Sequence, residues 1–176
     1  MKPIIKKSLI ILSVCQIQGQ GFWGNEFPEA KIEYAPKTYV CHKADKLILL
    51  DGKLNDEAWS NVQWTDPFVD IEGSLKPNPF YDTRAKMTWD DDYFYFGAYL
   101  EDPHVWASIT ARDAVVYKDN DFEIFLDPDG DTHNYYELEV NAFETEWDLI
   151  LLKPYHDADK VALDSWDIPG LISKVH

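Results

Sequence analysis

From residue 39 onward, the chain consists of short segments in which apolar and polar residues alternate, separated by turns rich in Asp, Gly and Pro. In the segment "RAKMTW", Ala85, Met87 and Trp89 alternate with polar residues, which is the two-residue period of a β-strand. The run Asp90-Asp91-Asp92 then predicts a hairpin turn. A chain with this pattern can bury one face of each strand in a sheet. Few of its segments follow the 3.6-residue period of a helix.

The segments on either side of this hairpin give more specific expectations. "YFYFGAYLE" is apolar at nearly every position, which predicts a central strand covered on both sides. Gly97 within it predicts a bulge or the close approach of another backbone. Upstream, "LILL" predicts a strand that ends at Asp51-Gly52, and Asn55 is a candidate N-cap for one short helical segment with Trp59 buried beneath it.

Two further strands flank the sequence "DPDGD". The first places Phe122, Ile124 and Leu126 on one face and Glu123 and Phe125 on the other. The second is predicted to turn its apolar residues inward and its polar residues outward; these are Tyr136, Leu138 and Val140, and Glu137, Glu139 and Asn141, respectively. Together the segments predict an all-β fold, a jelly-roll-like antiparallel β-sandwich that lacks its C-terminal strands.

The charge of the chain limits its partners. The formal net charge is -16, with 32 acidic and 16 basic residues. Such a surface repels phosphate backbones and anionic headgroups, which argues against nucleic acid and anionic membranes as partners. Neutral sugars, cationic partners and hard divalent cations remain compatible with it.

The N-terminal residues are typical of an export signal. "MKPIIKK" is a basic region and "SLIILSV" a short apolar one, so residues 1–20 are predicted to be a signal peptide. Two processing routes are open: lipidation of Cys15, which would be the chain's one link to a membrane, or cleavage near Gly19 to Gly21. Residues 21–38 are interpreted as a linker and 39–176 as the domain, located in the periplasm, at the cell surface or outside the cell.

Asp127, Asp129 and Asp131 form a candidate calcium site in the turn between two strands. An EF-hand needs Gly at the sixth position and Glu at the twelfth, whereas here Gly130 is fourth and Leu138 is twelfth. The EF-hand is therefore excluded. A structural calcium site of another kind and a solvated turn whose aspartates bond their own backbone are the two alternatives.

The residues around this turn offer two kinds of chemistry. Glu123, Glu137 and Glu139 could supply the carboxylate pair of a glycoside hydrolase, although so acidic a chain contains many pairs by chance. Arg112 and Tyr117 lie shortly before them, and an aromatic plane with a guanidinium and carboxylates is how proteins hold a neutral sugar. The second arrangement is the preferred hypothesis.

Three blocks of the sequence, in this order, resemble the family 9 carbohydrate-binding modules and their relatives. They are "LDGKLNDEAW", "AKMTWDDDYFYFGAYLEDPHV" and "YKDNDFEIFLDPDGDTHNYYELEVNAFETEWDL". The resemblance implies a β-sandwich that binds carbohydrate without catalysis, beside enzymes that degrade xylan- or cellulose-type glycans. Calcium in such modules is structural. Similar sandwiches that bind haem supply an alternative, as do a hydrolase and a purely structural domain.

The resemblance also implies site residues. In the family a sugar lies between two aromatic side chains and is bonded by a Glu and an Arg. The first aromatic corresponds to Tyr117 and the Glu to Glu123, while the Arg position is occupied by Glu139, two residues before Asn141. Arg112 is the candidate replacement for that Arg. We therefore expect these five residues to contact a polysaccharide or oligosaccharide.

Overall fold

The computed structural model describes residues 35–155 and 161–176. This part of the chain contains seven β-strands and three single-turn 3-10 helices. The strands are β1 (His42–Lys43), β2 (Thr83–Trp89), β3 (Phe94–Leu100), β4 (Asp121–Leu126), β5 (Tyr135–Asn141), β6 (Glu146–Leu151) and β7 (Ala162–Leu163). The helices are Glu57–Trp59, Gly73–Leu75 and Val116–Lys118. The predicted signal peptide, Cys15 and nearly all of the predicted linker lie outside the described residues.

The strands form two sheets, one in the order β1-β2-β3 and one in the order β4-β5-β6-β7. All neighbours are antiparallel except β1 and β2. The rings of Phe68, in the loop before β2, and Phe122, in β4, stack at 6.2 Å and link the two layers. The predicted all-β sandwich is confirmed. Within the described residues, no helix is long and apolar enough to cross a membrane.

The first sheet confirms the predicted hairpin and corrects two other predictions. β2 and β3 pair along their whole length across the Asp90–Asp92 turn, where the Asp90 carboxylate accepts the amides of Asp92 and Tyr93 at 2.8 Å. β3 is not a central strand, because β2 is its one partner in the described chain. Its apolar residues at both ends are exposed instead, with Phe94 at 48%.

The predicted strand that ends at Asp51 is wrong, because the segment "LILL" pairs with no other strand in the described chain. The Leu49 amide bonds the Asp56 carboxylate at 3.1 Å, a local contact that replaces a sheet ladder. Gly52 has a φ of 80°, in the left-handed region that suits a turn glycine. The predicted helix is one 3-10 turn, and its N-cap is Asp56, one residue after the predicted Asn55.

The core of the first sheet forms around Trp59, which is 3% exposed, as the sequence predicted. Trp59 packs with Ile48, Ala58 and Tyr95 on the face of β2 and β3 that carries Gly97. A Cβ at Gly97 would lie 2.8 Å from a Leu54 methyl carbon and 3.2 Å from the Trp59 ring. The close approach predicted there is therefore real, but side chains make it rather than another backbone.

The second sheet corrects the predicted orientation of β5. Glu137, Glu139 and Asn141 were expected to point outward, yet their exposed fractions are 3%, 2% and 1%. Their face of the sheet also carries Leu149 and Leu151, which pack with Val161 and exclude water. The opposite face of β5 is only partly buried. A period of two residues identifies the two faces of a strand, but tertiary packing decides which one is covered.

Candidate functional site

The acidic face of the second sheet lies next to an exposed aromatic residue. Glu123 and Glu139 are direct partners across β4 and β5, and Glu139 is in turn the partner of Trp147 on β6. These three side chains therefore lie in one row on the same face of the sheet. The row places an aromatic ring and two carboxylates side by side, which is the chemistry expected of a sugar site.

Tyr117 completes this row from the 3-10 helix before β4. Its amide donates to the Glu139 carboxylate at 2.8 Å, which holds the helix beside β5. Its ring is 57% exposed and lies 5.9 Å from the Trp147 ring, tilted by 34°. Three of the five predicted residues, Tyr117, Glu123 and Glu139, are thus brought together.

Asn141 lies near this group, but its amide is already occupied. Its nitrogen donates to the Ile109 carbonyl and to Asp119, each at 2.9 Å. Its oxygen accepts the amides of Phe143 and Thr145 at 3.0 Å. With both ends engaged and 1% exposure, Asn141 shapes the turn after β5 and holds the loop before β4.

Asp119, the carboxylate beside Asn141, is fully used in the same network. It accepts the amides of Ser108 and Ile109 at 2.9 and 2.8 Å, and the Ser108 hydroxyl at 2.7 Å. Burial alone would raise the pKa of Asp119, but these hydrogen bonds to the charged form lower it to about 2. Asp119 therefore stays ionised and fixes the loop.

Arg112 is on the other face of the sheet. Its guanidinium bonds Glu146 and Asp148, and it reaches Asp167 at 3.1 Å. Asp148 is the partner of Leu138 and so points away from Glu139. The structure does not bring Arg112 to the row of Glu123, and its charge is already neutralised by several carboxylates.

Asp121 is a member of the acidic group that sequence reasoning missed. It lies two residues before Glu123 on the same face of β4, and oxygen atoms of Asp121, Glu123 and Glu139 all lie within 4.8 Å of one another. The strand period alone could have predicted it. Trp147 was also missed, because its position depends on the length of the turn between β5 and β6.

The pKa values of two members of this acidic group, Asp121 and Glu139, are raised. Burial, followed by the charge of Glu123, raises the pKa of Asp121 to about 6. Burial, followed by the charges of Asp121 and Glu137, raises the pKa of Glu139 to about 8. Among the described residues, no Lys or Arg forms an ion pair with this group or with the neighbouring Glu137. No protein cation therefore offsets the repulsion between these carboxylates.

A cleft of about 400 Å³ opens beside these acids, along the free edge of β4. Asp121 and Glu123 line one side of it, with Phe122 and Phe125 of the same strand. The opposite side is supplied by the segment before β2 and by the first sheet. The residues there are Phe68, Pro79, Tyr81, Thr83 and Leu100.

The turn with Asp127, Asp129 and Asp131 is separate from this cleft. Carboxylate oxygens of the three lie within 4.8 Å of one another and could hold a cation such as calcium. Asp127 accepts the amides of Gly130 and Thr132 at 3.1 and 2.8 Å. This is the backbone bonding expected of a solvated aspartate turn.

Comparison with known proteins identifies a family for this chain. Residues 50–151 match the family model described as "Carbohydrate family 9 binding domain-like". The chain belongs to this family. A stretch of 100 residues, 57% of the chain, is 30% identical to endo-1,4-beta-xylanase A of Thermoanaerobacterium saccharolyticum and 27% identical to exoglucanase XynX of Acetivibrio thermocellus. That stretch is 8% of the length of each relative. No solved structure matches the chain.

Proposed function

We propose that this family member is a non-catalytic carbohydrate-binding module, and that it is exported to act beside enzymes that degrade xylan- or cellulose-type glycans. The observation that carries this proposal is the row formed by Tyr117, Trp147, Glu139 and Glu123. The exposed Tyr117 ring can stack on the apolar face of a sugar, and the exposed Glu123 carboxylate beside it can accept hydrogen bonds from the sugar hydroxyls, while the buried Glu139 holds the Tyr117 helix.

Titration calorimetry with xylo-oligosaccharides and cello-oligosaccharides tests the binding. Tyr117→Ala removes the exposed ring, so we expect the affinity to fall about tenfold or more. Tyr93→Ala is the matched control, since Tyr93 is a 45% exposed tyrosine in the hairpin of the other sheet. Absence of binding to every oligosaccharide by the folded protein, or equal losses in both variants, would overturn the proposal.

The absence of catalysis is supported by the burial of Glu139. A general acid must reach the glycosidic oxygen, and a side chain that is 2% exposed under the Tyr117 helix is withheld from it. The rival hydrolase would use Glu123 and Glu139 as its pair. Assays of glycan hydrolysis with the protein and with Glu123→Gln separate the two, because turnover that disappears in the variant would establish the enzyme.

Export is supported by the basic and apolar segments of residues 1–20. Expression with the native N-terminus, cell fractionation and mass spectrometry of the mature N-terminus test it. Recovery outside the cytoplasm with a shortened chain, or with a lipid on Cys15, is expected. An intact N-terminus in the cytoplasmic fraction would contradict export.

A further inference from the structure

We propose that the cleft along β4 selects amino sugars, which are glycans whose units carry a free ammonium group, over neutral glycans of the same length. This inference rests on the proposed carbohydrate-binding function and names the class of sugar that the site prefers. It is carried by the shape and lining of the cleft and by the absence of a cation beside its carboxylates in the described chain.

The lining of the cleft suits the two parts of such a sugar. Phe68, Tyr81 and Phe125 are 42%, 43% and 50% exposed, so their rings are available to the apolar face of a sugar ring. Asp121 and Glu123 line the same cleft and supply acceptors for an ammonium group. No basic side chain lines the cleft among the residues that the structure describes.

Asp121 is the carboxylate of the cleft that most lacks compensation. Its Oδ2 atom is buried and has no hydrogen-bond partner in the described part of the chain. A buried carboxylate oxygen without a donor is costly, and an ammonium group bound in the cleft beside Asp121 would offset the charge of this group. A neutral hydroxyl in the cleft would leave that charge unchanged.

The surrounding charges strengthen the preference. Glu139 contributes a further carboxylate within 4.8 Å of Asp121 and Glu123, at the position where the family resemblance places an Arg. Arg112 does not compensate for it, because its guanidinium is held by Asp148 and its neighbours on the opposite face. A cationic ligand would meet acidic groups with no protein cation beside them and would favour their ionised forms, so it is favoured electrostatically over a neutral one.

Three oligosaccharides with the same β-1,4-linked hexose backbone isolate the effect of the charge. They are a glucosamine oligomer with free amines, its N-acetylated form and a cello-oligosaccharide of equal length. Calorimetry with the full chain, at a pH above about 6 where Asp121 is ionised and still low enough for the sugar amine to be protonated, should show the glucosamine oligomer binding about tenfold or more tightly than either neutral oligomer. Raising the salt concentration should reduce this difference.

Substitutions separate the cleft from the overall charge of the protein. Asp121→Asn should abolish most of the preference while retaining binding of the neutral oligomers. Glu123→Gln should also reduce the preference, but it should weaken all three oligomers because Glu123 belongs to the proposed sugar site. Glu57→Gln removes the same charge from the 3-10 helix that packs on the first sheet, where the Glu57 side chain is 78% exposed, and should leave the preference intact. Circular dichroism of each variant verifies the fold.

Each outcome has a defined meaning. Equal affinity for the three oligomers, a preference that survives both cleft variants, or an equal loss in Glu57→Gln overturns the amino-sugar inference and leaves carbohydrate binding in place. Absence of binding to all three oligomers also overturns this inference, and absence of binding to the xylo-oligosaccharides as well overturns the proposed function.

Discussion

Lys86 on the first sheet and Glu139 on the second are ionisable residues in the middle of a strand, 5% and 2% exposed. The Lys86 ammonium lies 5.2 Å from the centre of the Trp59 ring and 4.6 Å from that of Trp64, and it donates to the Trp59 carbonyl at 3.1 Å. Glu139 is surrounded by other carboxylates and accepts one backbone amide. Aromatic rings offset the cost of burying the Lys86 charge in the first sheet, whereas the cost of burying a charge at Glu139 in the second sheet is left largely uncompensated.

This difference indicates how each region is used. The aromatic rings that enclose Lys86 offer a ligand no hydrogen-bond acceptor. This enclosure serves the packing of the first sheet. On the acidic face of the second sheet, the carboxylates repel one another, and a ligand could relieve this repulsion. Uncompensated charge beside a cleft is typical of a functional site.

Removing the aromatic enclosure should have the largest effect. Trp59→Ala deletes a 3% exposed ring that packs with Ile48, Tyr95 and Lys86. We expect the free energy of unfolding to fall by about 3–5 kcal/mol, because a large cavity forms and the lysine loses a partner. Urea denaturation measures this loss, and a loss below about 1 kcal/mol would show that the first sheet does not depend on this core.

The stability of the second sheet should depend on pH. The pKa values of Asp121 and Glu139 are raised to about 6 and about 8, so the folded chain holds these protons more tightly than the unfolded chain does. Their contribution is fully present below about pH 4, the unfolded value, and is lost as the pH rises through 6 and then 8. Stability should therefore fall across this window.

Glu139→Gln tests the origin of this slope. An amide mimics the protonated acid and can still accept the Tyr117 amide, so the variant should gain on the order of 2 kcal/mol at about pH 8 and show a flatter profile. Urea denaturation at a series of pH values measures this, with Glu57→Gln as the exposed control. An unchanged slope in Glu139→Gln would assign the pH dependence to other groups.

The smallest effect is expected at Lys86. Lys86→Met keeps most of the volume against Trp59 and Trp64 and removes a buried charge without an ionic partner in the described chain, so stability should change by less than about 1 kcal/mol. The Trp59 carbonyl still accepts the Val62 amide at 3.3 Å. A loss of several kcal/mol in the same denaturation assay would mean that the cation itself holds the two indoles.

Local patterns were sufficient to predict the parts of this fold that depend on local chemistry. The β2–β3 hairpin follows from its alternation and its Asp turn, and the burial of Trp59 follows from its size. The inward face of β5 did not follow, because Glu139 and Leu138 alternate with the same period whichever side is covered. The covering segments around Val161 and the Tyr117 helix are distant in the sequence.

The candidate site was predictable to a similar extent. Tyr117, Glu123 and Glu139 could be grouped from the family pattern, and the strand register brings the two glutamates together. The location of Arg112 on the opposite face depends on the path of a loop, which no short motif specifies. The cleft is formed by segments from both sheets, so only the assembled structure reveals it.

The turn between β4 and β5 sets the register that places Glu139 opposite Glu123 on the acidic face. The Asp127 carboxylate accepts the amides of Gly130 and Thr132, and the backbone is left-handed at Thr132 and Asn134. These contacts and backbone angles depend on the present number of residues in the turn. An insertion or deletion of one residue there would bring an apolar neighbour opposite Glu123 in place of Glu139. A surface turn outside the lining of the cleft thus determines whether acidic or apolar side chains face the site.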